Sequence, residues 1–214
     1  MGESDMQGPR SAAIEELPLT GEPLPLDLVN TVYIKGGVRG RMIDALAEPP
    51  DLDVWLAAQR VRFPAPVADE MLRAAPVDSS LFEDFLGLRR SLRALAGVRT
   101  ASGTAEPADL AVLNTWARRA ASWQELVQEE GLITVIGRRS EDDPRRAALA
   151  RIAAEAVALF AGAGTGAELL RACPAPGCVL YFVKSHSRRE WCTVGCGNRV
   201  RVARHSRRGR DAGR

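Results

Sequence analysis

Four cysteines, Cys173, Cys178, Cys192 and Cys196, are the residues best suited to chemistry in this chain of 214 residues, and all lie in its last quarter. Their spacing is C-x4-C, a 13-residue gap, then C-x3-C. Two close pairs joined by a longer loop can present four thiolates tetrahedrally to one zinc ion, each pair forming a compact chelate. A full set of four leaves no open coordination position, so the expected ion is structural, one per chain, rather than catalytic. The alternatives are two disulfides or four unrelated buried thiols. The acidic, polar start of the chain lacks the basic and apolar regions of an export signal, so a cytoplasmic location is expected, where reducing conditions disfavour disulfides.

Positioning those sulfurs requires local elements. Pro174-Ala175-Pro176-Gly177 has the composition of a turn that can fold back as a metal-binding knuckle. Val179–Val183 reads as a strand, Lys184–Arg189 as a polar turn, and Glu190-Trp191 as a short returning strand. Cys192 and Cys196 are four positions apart, which on a helix puts both sulfurs on one face. Knuckle, hairpin and helix in this order make a treble-clef-like finger. So small a unit would take much of its folding free energy from the metal.

The charge is divided along the chain. The overall balance is +2, from 29 basic and 27 acidic residues, but residues 171–214 carry 11 basic and 2 acidic residues. An acidic body therefore precedes a basic end. On a helix from about Val194 to Arg208, Cys196, Val200 and Ala203 share an inward face, while Arg201, Arg204, His205 and Arg208 share the opposite one. With Arg188, Arg189 and Arg199 nearby, this stripe suits phosphate, and DNA is the expected partner. RNA and an acidic protein are the alternatives, and a basic face can also serve solubility alone. Tyr181, Phe182 and Trp191 could stack on bases, or fill the small core around the metal.

Upstream, residues 1–23 read as a disordered lead-in. Leu24–Tyr33 is apolar enough for burial but ambiguous between strand and short helix. Asp51 looks like the cap of a helix containing Leu52, Trp55 and Leu56. Asp78 can cap a helix to about Val98. Pro107 opens another, with Leu110, Leu113, Ala117 and Ala120 as its stripe. Leu126-Val127 and Leu132–Ile136 suggest a β-hairpin. A helix from about Asp142 to Phe160 precedes a Gly-rich hinge, Ala161–Gly166, and a helical turn at Ala167–Arg171. That glycine run follows a helix and lacks the strand and downstream acid of a dinucleotide site.

The expected fold class is α+β, a mainly helical N-terminal domain (24–166) with a β-hairpin, then the zinc finger (167–208) and a basic tail (209–214). No apolar run approaches the roughly 20 residues of a membrane span. Asp27, Asn30 and Thr31 could line a ligand pocket in the N-terminal domain, or could instead serve as caps and buried hydrogen-bonding groups. No Ser-His-Asp or Cys-His arrangement is apparent, because His186 and His205 both lie in the basic end with the four cysteines. A non-enzymatic role is expected.

Cys196-Gly197-Asn198-Arg199 is the tetrad that names the CGNR zinc finger, which this C-terminal segment resembles. The upstream sequence is similar to the domain that usually precedes it, ABATE, a bacterial family assigned to stress-induced transcription regulation. Leu26-Asp27-Leu28-Val29-Asn30-Thr31 is similar to the family's opening motif, and Asp51–Leu56 and Leu113-Asn114 follow in order. The resemblance covers about residues 24–208 and implies a DNA-binding regulator whose N-terminal domain senses a stress signal or small-molecule effector. It implies the same four zinc ligands. Many members have a longer loop between the cysteine pairs, with an acid where this chain has Lys184, so DNA contacts through that loop are not carried over. A small module buries only about 600–1,000 Å² on DNA, so a homodimer is expected. Gly197 would permit close approach of the helix. Asn198 would bond the knuckle backbone or thiolates, and Arg199 either the thiolates or a phosphate.

Overall fold

The computed structural model describes residues 11–129, 132–161 and 169–211. The expected glycine hinge, the tip of the β-hairpin and the first ten residues lie outside the described residues. Eight α-helices, two short 3-10 helices and three two-stranded antiparallel sheets are present among the described residues.

The chain settles early, with α1 (Ser11–Glu15) and then α2 (Leu24–Val29), whose six residues are all buried. From residue 11 the lead-in is therefore ordered, contrary to the sequence reading. Ile14 enters the core, and the Tyr33 hydroxyl reaches the Ala13 carbonyl at 3.4 Å. The ambiguous segment after residue 24 resolves into both alternatives, helix α2 followed by strand β1 (Val32–Lys35), which pairs with β2 (Arg41–Asp44).

Helix α3 (Pro49–Gln59) starts three residues earlier than a cap at Asp51 would give. Glu48 is its N-cap, and Asp51 sits at the third helical position, accepting hydrogen bonds from the amides of Ala47 and Glu48. This is a capping box, satisfying amides the helix itself leaves open. Helix α4 (Ala65–Arg73) is followed by α5 (Ser79–Ala101), where the Asp78 carboxylate accepts from Leu81 N at 2.7 Å. Phe82, Phe85, Leu88, Leu92 and Leu95 form its buried face, as their spacing predicts. In α6 (Pro107–Arg118) the buried positions are Leu113 and Trp116, whereas Leu110 is exposed. The stripe is thus rotated toward Trp116, whose large apolar surface gains more from burial than that of Leu110.

Strands β3 (Ser122–Glu129) and β4 (Leu132–Arg139) extend the expected hairpin and leave Leu126 and Ile133 exposed. Helix α7 (Pro144–Ala161) is capped by Asp143, which accepts from the amides of Arg145 and Arg146. Its Ala148, Ala153 and Ala156 are fully buried, and such short side chains allow close packing against neighbouring helices.

The C-terminal segment comprises β5 (Leu170–Ala172), β6 (Tyr181–Val183) and α8 (Val194–Asp211). Two expectations fail here. Leu170–Ala172 is a strand rather than a helical turn, and it takes the place expected for Glu190-Trp191 as the partner of β6. The hairpin therefore brackets the first cysteine pair instead of following it. One hydrophobic core runs from Trp55 and Phe85 to Phe182, Val200, Cys173, Cys192 and Cys196.

Candidate metal centre

Each cysteine owes its position to a different local device. Cys173 follows directly from β5, and its amide donates to the Leu180 carbonyl at 2.9 Å, closing the knuckle loop. Inside that loop Cys178 N donates to Ala175 O at 3.0 Å. Gly177 has φ +68, and a Cβ there would come within 2.6 Å of the Gly37 carbonyl carbon and Val38 nitrogen. Only glycine accommodates both the left-handed backbone and the contact with the β1–β2 turn. Cys192 precedes α8, and Cys196 lies in its first turn, where its amide donates to Thr193 Oγ1 at 3.2 Å.

The four sulfurs lie within 4.8 Å of one another. The Sγ separations are 3.3 Å for Cys192–Cys196, 3.7 Å for Cys178–Cys192 and 3.8 Å for Cys178–Cys196. Zinc–sulfur bonds of about 2.3 Å at tetrahedral angles place sulfurs about 3.8 Å apart. The donor set and spacing therefore fit one zinc ion held by Cys173, Cys178, Cys192 and Cys196. Without a cation the thiols titrate against one another. Hydrogen bonds from Cys178 and Cys192 pull Cys173 down to about 2, whereas hydrogen bonding to Cys173 pushes Cys178 up to about 12. Cys192 is pushed up as well, by hydrogen bonding to Cys173 and Cys178. A divalent ion removes this conflict by favouring the thiolate at all four positions.

The surrounding groups orient and neutralise the cluster. Arg199 Nη2 donates to Cys196 Sγ at 2.8 Å, while the rest of its side chain packs across Gly37. Burial alone would lower the pKa of Arg199, but its hydrogen bond to Cys196 and the nearby cysteine charges hold it above the usual arginine value. Gly197 is buried, and a Cβ there would meet Trp191 Cδ1 at 2.9 Å, so this glycine lets α8 lie against the indole. Asn198 is exposed and accepts a hydrogen bond from Arg201 rather than bonding the knuckle.

The profile of the ABATE family, described as "Putative stress-induced transcription regulator", matches residues 22–163, and that of the CGNR zinc finger matches residues 170–209. The chain belongs to the ABATE family. Its C-terminal segment is a CGNR zinc finger, joined in the order expected from the sequence. No curated protein matches the chain.

In this ABATE chain the residues expected to line a ligand pocket are spent on internal bonds. Asp27 accepts from the amides of Gly21 and Glu22 and pairs with Arg62. Thr31 Oγ1 donates to Leu28 O at 2.7 Å and accepts from Arg89, which also clasps Asp44. Asn30 bonds both backbone groups of Tyr181 in the CGNR finger. These are the buried hydrogen-bonding roles that Asp, Asn and Thr fill readily.

The arginines expected to face nucleic acid divide into two sets. Arg199 is turned to Cys196, and Arg189 is turned to Glu22, the Val183 and Cys192 carbonyls and the Phe182 ring. Arg188, Arg201 and Arg204 are exposed. The backbone of α8 continues through His205 and Arg208, whose side chains lie outside the described residues. Sequence reasoning missed Glu22 and Arg93, which bind the two domains. Glu22 accepts from Val183 N at 2.8 Å, and Arg93 donates to Val179 O at 3.0 Å and to Val29 O and Val32 O. Glu22 lay within an apparently disordered stretch, and Arg93 on the helix of a core stripe. Neither has a signature short of the fold.

Proposed function

We propose that this ABATE protein regulates transcription by binding duplex DNA through α8 of its CGNR finger, with the N-terminal domain responding to a stress signal or effector. The observation carrying this reading is the division of labour on α8. Cys196, Gly197 and Val200 are buried against the metal and core, while Arg201 and Arg204 are exposed one to two turns further on. Among the described residues no ion pair joins Arg201 or Arg204 to an acidic side chain. Their charges are thus available to phosphates, and each phosphate they engage releases counterions. Zinc, when bound, supplies rigidity through a closed four-thiolate site, and no catalytic role is assigned to it.

The test is duplex binding by Arg201→Glu/Arg204→Glu at fixed salt, with metal content measured alongside. Affinity should fall by at least tenfold, and the salt dependence should flatten by about 0.9 log units for each phosphate that is no longer neutralised. Zinc should remain at one per chain. Unchanged affinity in a variant with full zinc content would remove α8 from the interface. Competition with structured RNA at the same salt separates an RNA-binding role. Selection from random duplexes would expose two half-sites if a homodimer is the binding unit.

A further inference from the structure

A cavity of about 350 Å³ opens beside the metal centre, and both Cys178 and Cys196 belong to its wall. Arg199, Thr193, Gly195 and Ile34 complete the part of the wall that matters here. The other two cysteines do not line it. Cys178 is half-buried, whereas Cys173, Cys192 and Cys196 are buried. A small solute entering this space therefore reaches a thiolate edge of the cluster directly, without unfolding of the finger.

We infer that this cavity is a peroxide-access site and that Cys196 and Cys192 are an oxidisable pair within the zinc centre. The inference rests on the four-cysteine zinc site and not on DNA binding. Three features converge on Cys196. It borders the cavity, its sulfur accepts a hydrogen bond from Arg199 at 2.8 Å, and the Cys192 sulfur is 3.3 Å away. Cys196 is buried in the native fold, so a peroxide reaches its sulfur only through the cavity it borders, and there a neighbouring cation favours the thiolate that reacts. The guanidinium also supplies a donor to the departing oxygen.

The chemistry balances with hydrogen peroxide as the named oxidant. The Cys196 thiolate attacks one peroxide oxygen, the O–O bond breaks, and the departing hydroxide takes a proton from solvent and leaves as water. Cys196 is then a sulfenic acid. The Cys192 thiolate attacks that sulfur, the S–S bond forms, and the S–O bond breaks. The second hydroxide also leaves as water after protonation. Two electrons pass from the two thiolates to the peroxide. Cys173 and Cys178 remain as the only two ligands, too few to retain the ion in a closed site, so metal release accompanies oxidation.

The experiment uses the zinc-loaded full-length chain treated with hydrogen peroxide, reading zinc release with a chromogenic chelator and the bonds formed by mass spectrometry. Trypsin separates the cysteines usefully, because Cys192 and Cys196 share the peptide Glu190–Arg199 while Cys173 and Cys178 share Ala172–Lys184. One disulfide internal to Glu190–Arg199, formed in step with release of one zinc and reversed by a thiol reductant, is the expected result. Retention of zinc, or a disulfide joining the two peptides as the main product, would overturn the inference. Gly195→Leu fills the mouth of the cavity at an exposed helical position, where a Cβ would lie an ordinary 3.7 Å from Thr193 Oγ1. It should slow release about tenfold at unchanged zinc affinity, a barrier increase of about 1.4 kcal/mol. An unchanged rate would rule out this access route. Should that variant fail to hold zinc, the bulkier tert-butyl hydroperoxide decides on the native chain: slower release than with hydrogen peroxide supports the cavity route, and equal rates overturn it.

Discussion

Asn30 of the N-terminal domain pairs with both backbone groups of Tyr181 in the zinc finger, its Nδ2 donating to Tyr181 O at 2.8 Å and its Oδ1 accepting from Tyr181 N at 3.0 Å. The side-chain amide imitates a neighbouring strand. β6 is bonded to β5 on one side and to Asn30, Glu22 and Arg93 through its ends and flanks. The finger is thus docked on the N-terminal domain by half-buried polar bonds as well as by the shared core. Among the described residues, the ion pair between the body and the finger is Glu22 with Arg189, and none joins an acid to Arg201 or Arg204 of α8.

Asn30→Ala should therefore act across the domain boundary. It leaves the half-buried N–H and C=O of Tyr181 without these partners, at a cost of about 2 kcal/mol. Chemical denaturation should show that loss as a single shifted transition. Hydrogen exchange at Tyr181 should accelerate. A change confined to a few tenths of a kcal/mol would show that the pairing contributes little to docking.

Zinc removal should be felt well beyond residues 170–209. Cys173, Cys192 and Cys196 belong to the same core as Phe182, Trp55 and Phe85. Chelation withdraws the ion that reconciles four neighbouring thiolates, and binding energies for structural zinc run to about 10–16 kcal/mol in isolated fingers. Faster hydrogen exchange in β6 and also at the ends of α2 and α5 is the expected signature. Full protection of α2 and α5 after chelation would mean that the two domains hold their folds separately.

Asp27 predicts a pH dependence with a definite sign. Burial raises its pKa to about 6 from the ordinary 3.8, against the opposing pull of Arg62 and the Gly21 and Glu22 amides. A carboxyl whose pKa is higher folded than unfolded binds its proton more tightly in the fold, so its contribution is present at low pH and lost as pH rises through about 6. Relative to a non-titrating Asp27→Asn reference, the native chain should lose about 1.4 kcal/mol of stability between about pH 5 and pH 7.5. Denaturation at saturating zinc measures this. A carbon NMR titration of the Asp27 carboxyl should have its midpoint near 6, and a midpoint near 4 would contradict the expected direction.

The metal site was legible in sequence because its information is local. Two close cysteine pairs, a Pro-Gly turn and the Cys196–Arg199 tetrad specify ligands whose chelate geometry depends on few residues. Helix α5 was legible for a similar reason, since its apolar residues repeat at the helical period and Asp78 supplies the cap. The strand partner of β6 was not, because Leu170–Ala172 and Glu190-Trp191 are both short and both adjacent to cysteines. Pairing was chosen by which of them could also pack Leu170 into the core. Asp27, Asn30 and Thr31 were recognisable as polar groups needing partners, but the partners lie up to 151 residues away.

By itself the sequence determined the four ligands, the helical body, the basic end and the family, all properties carried by residue type and short spacing. Tertiary structure decided which arginines remain outside. Arg199, Arg189 and Arg188 look alike in sequence, yet one is held by a cysteine sulfur, one by Glu22, and only Arg188 is exposed. A guanidinium's role depends on which charges and carbonyls surround it after folding. Those surroundings come from distant segments, the β1–β2 turn for Arg199 and the approach to α2 for Arg189, that only the packed chain brings together.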